Sequence, residues 1–318
     1  MSDVVLVGRG IVGARATRRL PSVLGGATIV DVDPYLAHVP DGATVAVFAH
    51  GGPHAPLAER FVTAGVSVVS VAADLGDVRA LLDLDDAARS NGATLVVGAG
   101  MSPGLSGLLA RLLVSQLATC DELHLAVHGT AGPACARQQH RALRHRGIGL
   151  HDGEWIHPPA GSGRDLCYFP EPVGPYDCYR AELASPLLLQ RSFPDANRIS
   201  ERVSANRRDR LTAWLPMLTP PHREGGVGAV RVEARGTGAD GARVTSVSGV
   251  AELVATATAA TAIAFVAQAV DGVLPTGVVC PGDEDLDTVA LLRLVGRAGV
   301  RLQEFTGVAS DQRVSAIA

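Results

Sequence analysis

Val4-Val5-Leu6-Val7-Gly8-Arg9-Gly10-Ile11-Val12-Gly13 is the stretch whose reading decides the fold. Its first four residues are apolar and mostly β-branched, which predicts a short buried strand. The glycines follow at once in G-x-G-x-x-G spacing, and a helical pattern opens at Ile11. Such a triplet means little alone, but between a strand and a helix it has a physical reading. Gly8 permits the tight turn, Gly10 lets a pyrophosphate approach the backbone, and Gly13 lets the helix pack close to the strand. Arg9, Ile11 and Val12 complete a loop whose free N–H groups stand at the positive end of a helix. The second apolar run, Ala27 to Val32, carries Asp31 roughly 20 residues past the loop, where an acid meets an adenosine ribose. That carboxylate favours NAD and repels a 2′-phosphate. Arg9 inside the loop can reach such a phosphate, so NADP stays open.

Outward from this loop the chain alternates strands and helices. Thr44 to Phe48, Val66 to Val71 and Thr94 to Val97 read as further strands. Helices are expected from Ile11 to Leu20, stopped by Pro21, then over Leu57 to Thr63, Val78 to Arg89 and about Leu105 to Gln116. The stretch between Asp31 and Thr44 is too short for a full crossover helix. The alternation predicts an α/β class with an N-terminal Rossmann, doubly wound parallel sheet. Ligands bind beyond the carboxyl ends of such strands, so Ala49-His50-Gly51 and Ala72 are expected to line the cofactor.

After residue 120 the rhythm changes. Leu123 to His128 is strand-like, and Gly147 to Trp155 reads as a short hairpin. Val227 to Ala234 and Ala242 to Val250 flank the turn Gly238-Ala239-Asp240-Gly241, a clear hairpin signal. Helices are expected at Ala136 to Leu143, Arg207 to Leu215, Val254 to Val270 and Leu286 to Ala298, and Pro158 to Pro175 reads as a loop. The prediction is a dinucleotide-binding domain over 1–119 and an α+β domain over 120–318 with a mixed or antiparallel sheet. The latter is expected to bind substrate and form a homodimer, with late helices packing back on the first domain.

Composition narrows the chemistry. The chain has 318 residues, a net charge of −4 and no basic excess, which argues against nucleic acid. It contains no lysine, so all 28 basic side chains are arginine. Schiff-base and lysine proton-donor mechanisms are therefore excluded. The 5 cysteines form no C-x-x-C pair, and His140, His145, His151 and His157 recur at intervals of 5, 6 and 6, off any one helix face. No metal site is expected. Val254 to Val270 is short for a bilayer span and reads as a core helix, so no membrane association is expected. The opening strand leaves no room for a secretory signal, and a cytoplasmic location follows as the expectation.

Gly98-Ala99-Gly100-Met101-Ser102-Pro103-Gly104 adds a second glycine-rich turn, running from a strand into a helix. Here the chain resembles the saccharopine dehydrogenase-like oxidoreductases, which carry a G-x-x-P-G turn after the Rossmann unit. The match is Gly100, Pro103 and Gly104, with Met101 and Ser102 between. The late hairpin and long helix over Val227–Val270 resemble that family's second domain. The resemblance implies that the turn lies beside a nicotinamide, and that the reaction is NAD(P)-linked oxidoreduction at a C–N bond of an amino acid or related small polar metabolite.

The residues offer several partners for such chemistry. His128 closes a strand leading away from the cofactor domain, and Tyr176 and Asp177 lie in a segment flanked by Pro and Gly; these are the expected catalytic groups. Arg207, Arg208 and Arg210, behind the helix cap Asn206, together with Tyr179, are the expected contacts for an anionic or zwitterionic substrate. Arg137, Arg141, Arg144 and Arg146, with Gln138 and Gln139, form a basic stretch that can steer an acidic substrate but reads first as a solvated helix face. Two other functions stay open at this point: a nucleotide-binding sensor or structural protein without catalysis, and an NAD(P)-dependent carbonyl reductase.

Overall fold

Strand β1 (Asp3–Val7) takes two parallel neighbours, β2 (Thr28–Val32) on one side and β3 (Ala43–Phe48) on the other. In the computed structural model, which describes residues 3–25, 28–35, 39–217 and 220–304, the sheet continues through β4 (Ser67–Ser70) and β5 (Thr94–Val97). A sixth strand, β14 (Gly277–Val279), joins beside β5 from far along the chain. The order β14-β5-β4-β3-β1-β2 reverses at β1, and the loops after β1 and β3 diverge there. That reversal makes the crevice in which open parallel sheets bind ligands.

Alternation along β1 shows why the sheet is doubly wound. Val4 and Leu6 point into one apolar layer, Val5 and Val7 into the other. The second layer is covered by α2 (Ala55–Thr63), α3 (Leu75–Leu82) and α4 (Asp85–Ser90). The single helix expected over Val78–Arg89 is broken at Asp83, which caps α3. The first layer is covered by α1 (Ile11–Val23), α5 (Leu105–Val114), α9 (Val254–Val270) and α10 (Thr288–Arg297). Pro21 does not stop α1. It lies in the last turn, where one missing N–H is tolerated, and the Leu24 N–H still bonds the Leu20 carbonyl at 2.8 Å. Among the described residues no helix joins β2 to β3.

The second sheet is mixed and has nine strands among the described residues. Its centre is β6 (Thr119–His128), parallel to β11 (Arg198–Ser204) and antiparallel to β12 (Val227–Thr237). The expected hairpin is β12 with β13 (Arg243–Leu253), and β15 (Gln303–Glu304) pairs at its edge. Beyond β11 lie β10 (Pro175–Tyr179) and β9 (Asp165–Tyr168), with the small pair β7 (Gly149–His151) and β8 (Glu154–Ile156) attached. The segment read as a loop over Pro158–Pro175 thus contains a strand, and Tyr176, Asp177 and Tyr179 sit in its antiparallel partner. Three further helices, α6 (Pro133–Ala142), α7 (Ser185–Ser192) and the one-turn α8 (Arg207–Leu211), lie between these strands. The last is shorter than the helix expected to reach Leu215.

Helix α9 ties the sheets together. It packs on α1, β3 and β4 of the first sheet and reaches β12 and β13 of the second. Its small Ala and Thr side chains are buried from Val254 to Ala267, which allows close approach on several sides. One contiguous core therefore runs from Val4 and Leu6 through Ile263 and Phe265 to Leu123, Val230 and Val232. No helix of the described residues is long and apolar enough to cross a membrane.

Candidate active site

Between the carboxyl ends of the parallel strands and the second sheet lies a cleft of about 1160 Å³. The loop after β1 forms one wall through Gly8, Arg9, Gly10, Ile11 and Val12. Helix α1 starts at Gly10 with no side-chain cap, so its first-turn N–H groups are available to a ligand. The glycines divide the work. A Cβ on Gly13 would stand 1.9 Å from the Gly8 carbonyl oxygen, which is how closely helix and strand pack. A Cβ on Gly10 would meet nothing within 4 Å. The open space that a pyrophosphate needs is therefore present at the position where the motif requires it. Asp31 is at the rim rather than inside. Its carboxylate lies 3.5 Å from the Arg9 guanidinium, and both side chains are exposed.

Ala49, His50 and Gly51 after β3, and Ala72 after β4, line the same wall. His50 is joined there by a residue that sequence reading passed over. His54, buried, lies 4.2 Å from His50 between ring centroids. Its protons can be assigned from its partners. The His54 Nε2 lies 3.0 Å from the His50 carbonyl oxygen, which only accepts, so Nε2 carries the hydrogen. The Nδ1 then accepts from the Ser70 hydroxyl at 2.8 Å, while Ser70 Oγ accepts from the Ala72 N–H. Asp77 accepts the backbone N–H groups of His54 and Ala55. Burial pushes both imidazoles down to about 4, with His54 adding to the effect at His50. Both rings are neutral near pH 7. The Nδ1 of His50 is buried with no hydrogen-bond partner among the described residues.

The floor is the turn before α5. Gly100, Met101, Ser102 and Pro103 line the cleft, and the Gly100 N–H bonds the Pro103 carbonyl at 2.9 Å. Gly104 closes the turn at φ +131°, with a virtual Cβ 2.1 Å from the Gly100 oxygen, so only glycine fits. Ser102 reaches across to the second sheet, where its hydroxyl donates to Glu201 Oε1 at 2.8 Å. The Ser185 hydroxyl donates to the same oxygen at 2.9 Å. Glu201 is 4 % exposed and lines the cleft. Burial pushes its carboxyl up to about 7, against the serine hydrogen bonds that lower it. Its Oε2 has no partner among the described residues.

The opposite wall comes from the second sheet. His128 lines the cleft, with Nδ1 2.8 Å from the Ser204 hydroxyl. Burial lowers its basicity. The Tyr176 ring lies 4.1 Å from the His128 ring, behind it rather than on the cleft surface. Asp177 points elsewhere and pairs with Arg164 at 3.0 Å. Tyr179 is buried under the Arg210 guanidinium, 5.0 Å from its ring centroid, and Arg210 also donates to the Gly161 carbonyl. Arg207 and Arg208 are exposed outside the cleft. Asn206 does cap α8, accepting from the Asp209 N–H at 2.7 Å, but neither it nor the residues of α8 line the cleft. Besides Arg9, the arginines that line the cleft are Arg137 and Arg141 of α6, with Arg223.

Glu201 was missed although a signal existed. In Arg198–Ser204 the inward positions are Ile199, Glu201 and Val203, so an acid occupies an apolar slot of a period-two strand. A buried acid there needs an explanation, and the orphaned oxygen makes that need sharper.

No family model and no curated protein matches this sequence. Among solved structures, saccharopine dehydrogenase (L-Glu forming) from Saccharomyces cerevisiae superposes with a TM-score of 0.66 at 11% identity, over 96% of this chain and 100% of the yeast chain. A C. glutamicum DAP dehydrogenase (0.49, 14% identity, 88% of this chain and 93% of that one) and an amine dehydrogenase from Mycobacterium smegmatis (0.49, 13% identity, 87% and 94%) lie further away. The chain shares the two-sheet fold of the yeast enzyme.

Proposed function

We propose that this protein is an NAD(P)-dependent oxidoreductase acting on the C–N bond of an amine or imine in a small polar metabolite. The observation that carries the reading is one cleft bounded by an uncapped helix start at Gly10 and, across the floor, by a buried acid at Glu201. The first holds a pyrophosphate by backbone N–H groups; the second gives a nitrogen-bearing substrate an acceptor. Nicotinamide cofactors supply hydride acceptance or donation when bound. Around that chemistry the residues here position and exclude. Gly8 to Val12 hold the phosphates, and Asp31 takes the adenosine ribose hydroxyls. The neutral His50 and His54 rings keep extra positive charge off the floor of the loop. Gly100 to Gly104 support the reactive end, and His128 stands across from it as a proton carrier whose basicity is already reduced. Asp31 favours NAD, with Arg9 available to a 2′-phosphate. The fold shared with an amino-acid dehydrogenase adds to the case without deciding the substrate.

Fluorescence titration with NADH and NADPH tests the reading. Wild-type protein binds at least one of them. Gly10→Asp folds normally, because the added side chain enters open space, yet places a negative charge on the phosphate path. Its affinity falls about 100-fold, or about 2.7 kcal/mol, with an unchanged melting temperature. Failure of both nucleotides to bind wild-type protein overturns the function.

A further inference from the structure

Glu201 is a buried acid for which the described residues supply no cation. Ser102 and Ser185 donate to its Oε1 at 2.8 and 2.9 Å, and its Oε2 is buried without a partner among the described residues. The groups facing it are neutral. Leu125 of β6 stands beside it in register, Ser102 faces it from the turn before α5, and Ser185 faces it from the start of α7 through both its hydroxyl and its N–H. Burial pushes its carboxyl up and the two serines pull it down, and no charged side chain of the described residues adds to either. A strand that needed only packing would carry an apolar residue between Ile199 and Val203. A charge placed at such cost acts on something that enters the cleft.

The order of the first sheet decides which part of a dinucleotide comes nearest to that charge. Phosphates held at the start of α1 sit beyond β1, and Asp31 of β2 takes the adenosine side, toward the edge of the sheet. The other nucleotide must then run the opposite way, over β3, β4 and β5. The loops after those strands, at residues 49–51, 72–74 and 100–103, all line the cleft. Ser102, at the far end of that path, is one hydrogen bond from Glu201. The nicotinamide ring is the part of the cofactor whose charge changes, being cationic when oxidised and neutral when reduced. We propose that ionised Glu201 makes the cleft prefer the oxidised cofactor to the reduced one, an assignment that rests on the oxidoreductase reading above. The effect is electrostatic across a buried floor and needs no contact with Oε2, which is left for the substrate nitrogen. At the pyrophosphate, the riboses and the adenine the two forms are identical, so the backbone N–H groups of the phosphate loop cannot tell them apart.

Calorimetry with the full chain tests this. The probes are NAD⁺ and NADH, with NADP⁺ and NADPH as a second pair, each at pH 6 and pH 8. The Glu201 carboxyl titrates at about 7, so it is mostly protonated at the lower pH and mostly ionised at the higher. The ratio of oxidised-form to reduced-form affinity therefore rises about fivefold or more from pH 6 to pH 8. At pH 6 the oxidised form also releases about half a proton or more beyond whatever the reduced form releases, read from buffers of different ionisation enthalpy, and the excess fades by pH 8. Glu201→Gln keeps an acceptor for both serines but carries no charge. It abolishes the extra proton and the pH dependence of the ratio, and lowers the ratio at pH 8 about tenfold. If neither reduced nucleotide binds wild-type protein, the oxidoreductase reading falls and takes this assignment with it. If a reduced nucleotide binds, but its oxidised partner shows the same pH response and the same proton count, this assignment alone falls. It falls equally if the difference between the two forms survives in Glu201→Gln. The comparison of proton counts needs only wild-type protein, so a misfolded variant leaves the test standing.

Discussion

The two walls of the cleft solve the same problem of buried polarity in opposite ways. On the first sheet, recognition is made of backbone: an uncapped helix start, glycines, and two histidines held neutral by burial and by Ser70. On the second sheet it is made of side chains: Glu201 over two serines, His128 on Ser204, and the α6 arginines. The backbone wall leaves first-turn N–H groups free for an anion and keeps its imidazoles neutral. The side-chain wall keeps an unfilled acceptor at Glu201 Oε2 among the described residues. A pyrophosphate is a fixed chemical group that a peptide loop can fit, whereas a substrate is chosen by complementary charges set into a scaffold.

Breaking the backbone wall gives the largest effect. Gly13→Val puts a side chain into the Gly8 carbonyl and costs at least ~3 kcal/mol of stability, seen as a large drop in melting temperature together with lost NADH binding. A wild-type-like melting curve would remove the close packing from the explanation.

The walls then titrate in opposite senses. His54 has its folded basicity depressed, so its share of stability is complete above pH 6.5 and is lost as pH falls toward about 4. That loss is about 3 kcal/mol. Ring-proton NMR should give midpoints near 4 for His50 and His54, and midpoints near 6.5 contradict the buried, neutral assignment. Glu201 runs the other way. Its carboxyl is raised from 4.5 to about 7, so the folded state holds the proton longer and stability declines as pH climbs through that window. Glu201→Gln therefore raises the melting temperature at pH 8, by the equivalent of about 3 kcal/mol, and leaves it nearly unchanged at pH 4. An equal shift at both values points to packing instead.

The smallest change sharpens nucleotide choice. Asp31→Ser frees Arg9 from its exposed pair and shifts the NADH-to-NADPH affinity ratio about tenfold toward NADPH. Competitive titration measures it, and an unchanged ratio takes Asp31 away from the ribose.

What could be read from sequence follows the same division. The backbone wall is local: strand, glycines, helix and acid lie within residues 4–32, and each element begins close to where its pattern predicts, although α1 runs past Pro21 to Val23. The helix cap at Asn206 is equally local and equally real, yet Arg207 and Arg208 stand outside the cleft, because capping fixes a helix end and says nothing about what that end faces. Arg137 and Arg141, read as a solvated face, reach the cleft for the same reason in reverse. Strand β11 escaped because its inward row contains a charge, and the residue that breaks the pattern is the one the site needs. Strand β14 escaped because three residues, Gly277–Val279, carry no period at all.

That late strand also sets an order of assembly. A ribosome making this chain completes five strands of the first sheet by residue 97, then produces about 180 residues before the sixth emerges. At 5–20 residues per second the interval is roughly 10 to 40 s. Throughout it, β5 is the sheet's outer edge, with its peptide groups unpaired and open to any neighbouring strand. Until then the Asp85 carboxylate, already paired with Arg89 at 3.0 Å, lacks the Val278 N–H that it accepts at 2.6 Å, and the Thr94 hydroxyl lacks the Pro275 carbonyl to which it donates at 2.8 Å. The second sheet is synthesised almost entirely inside that window. The nucleotide half is thus the first to begin folding and the last to be finished, and a nascent chain stalled before residue 277 presents a bare edge to its surroundings.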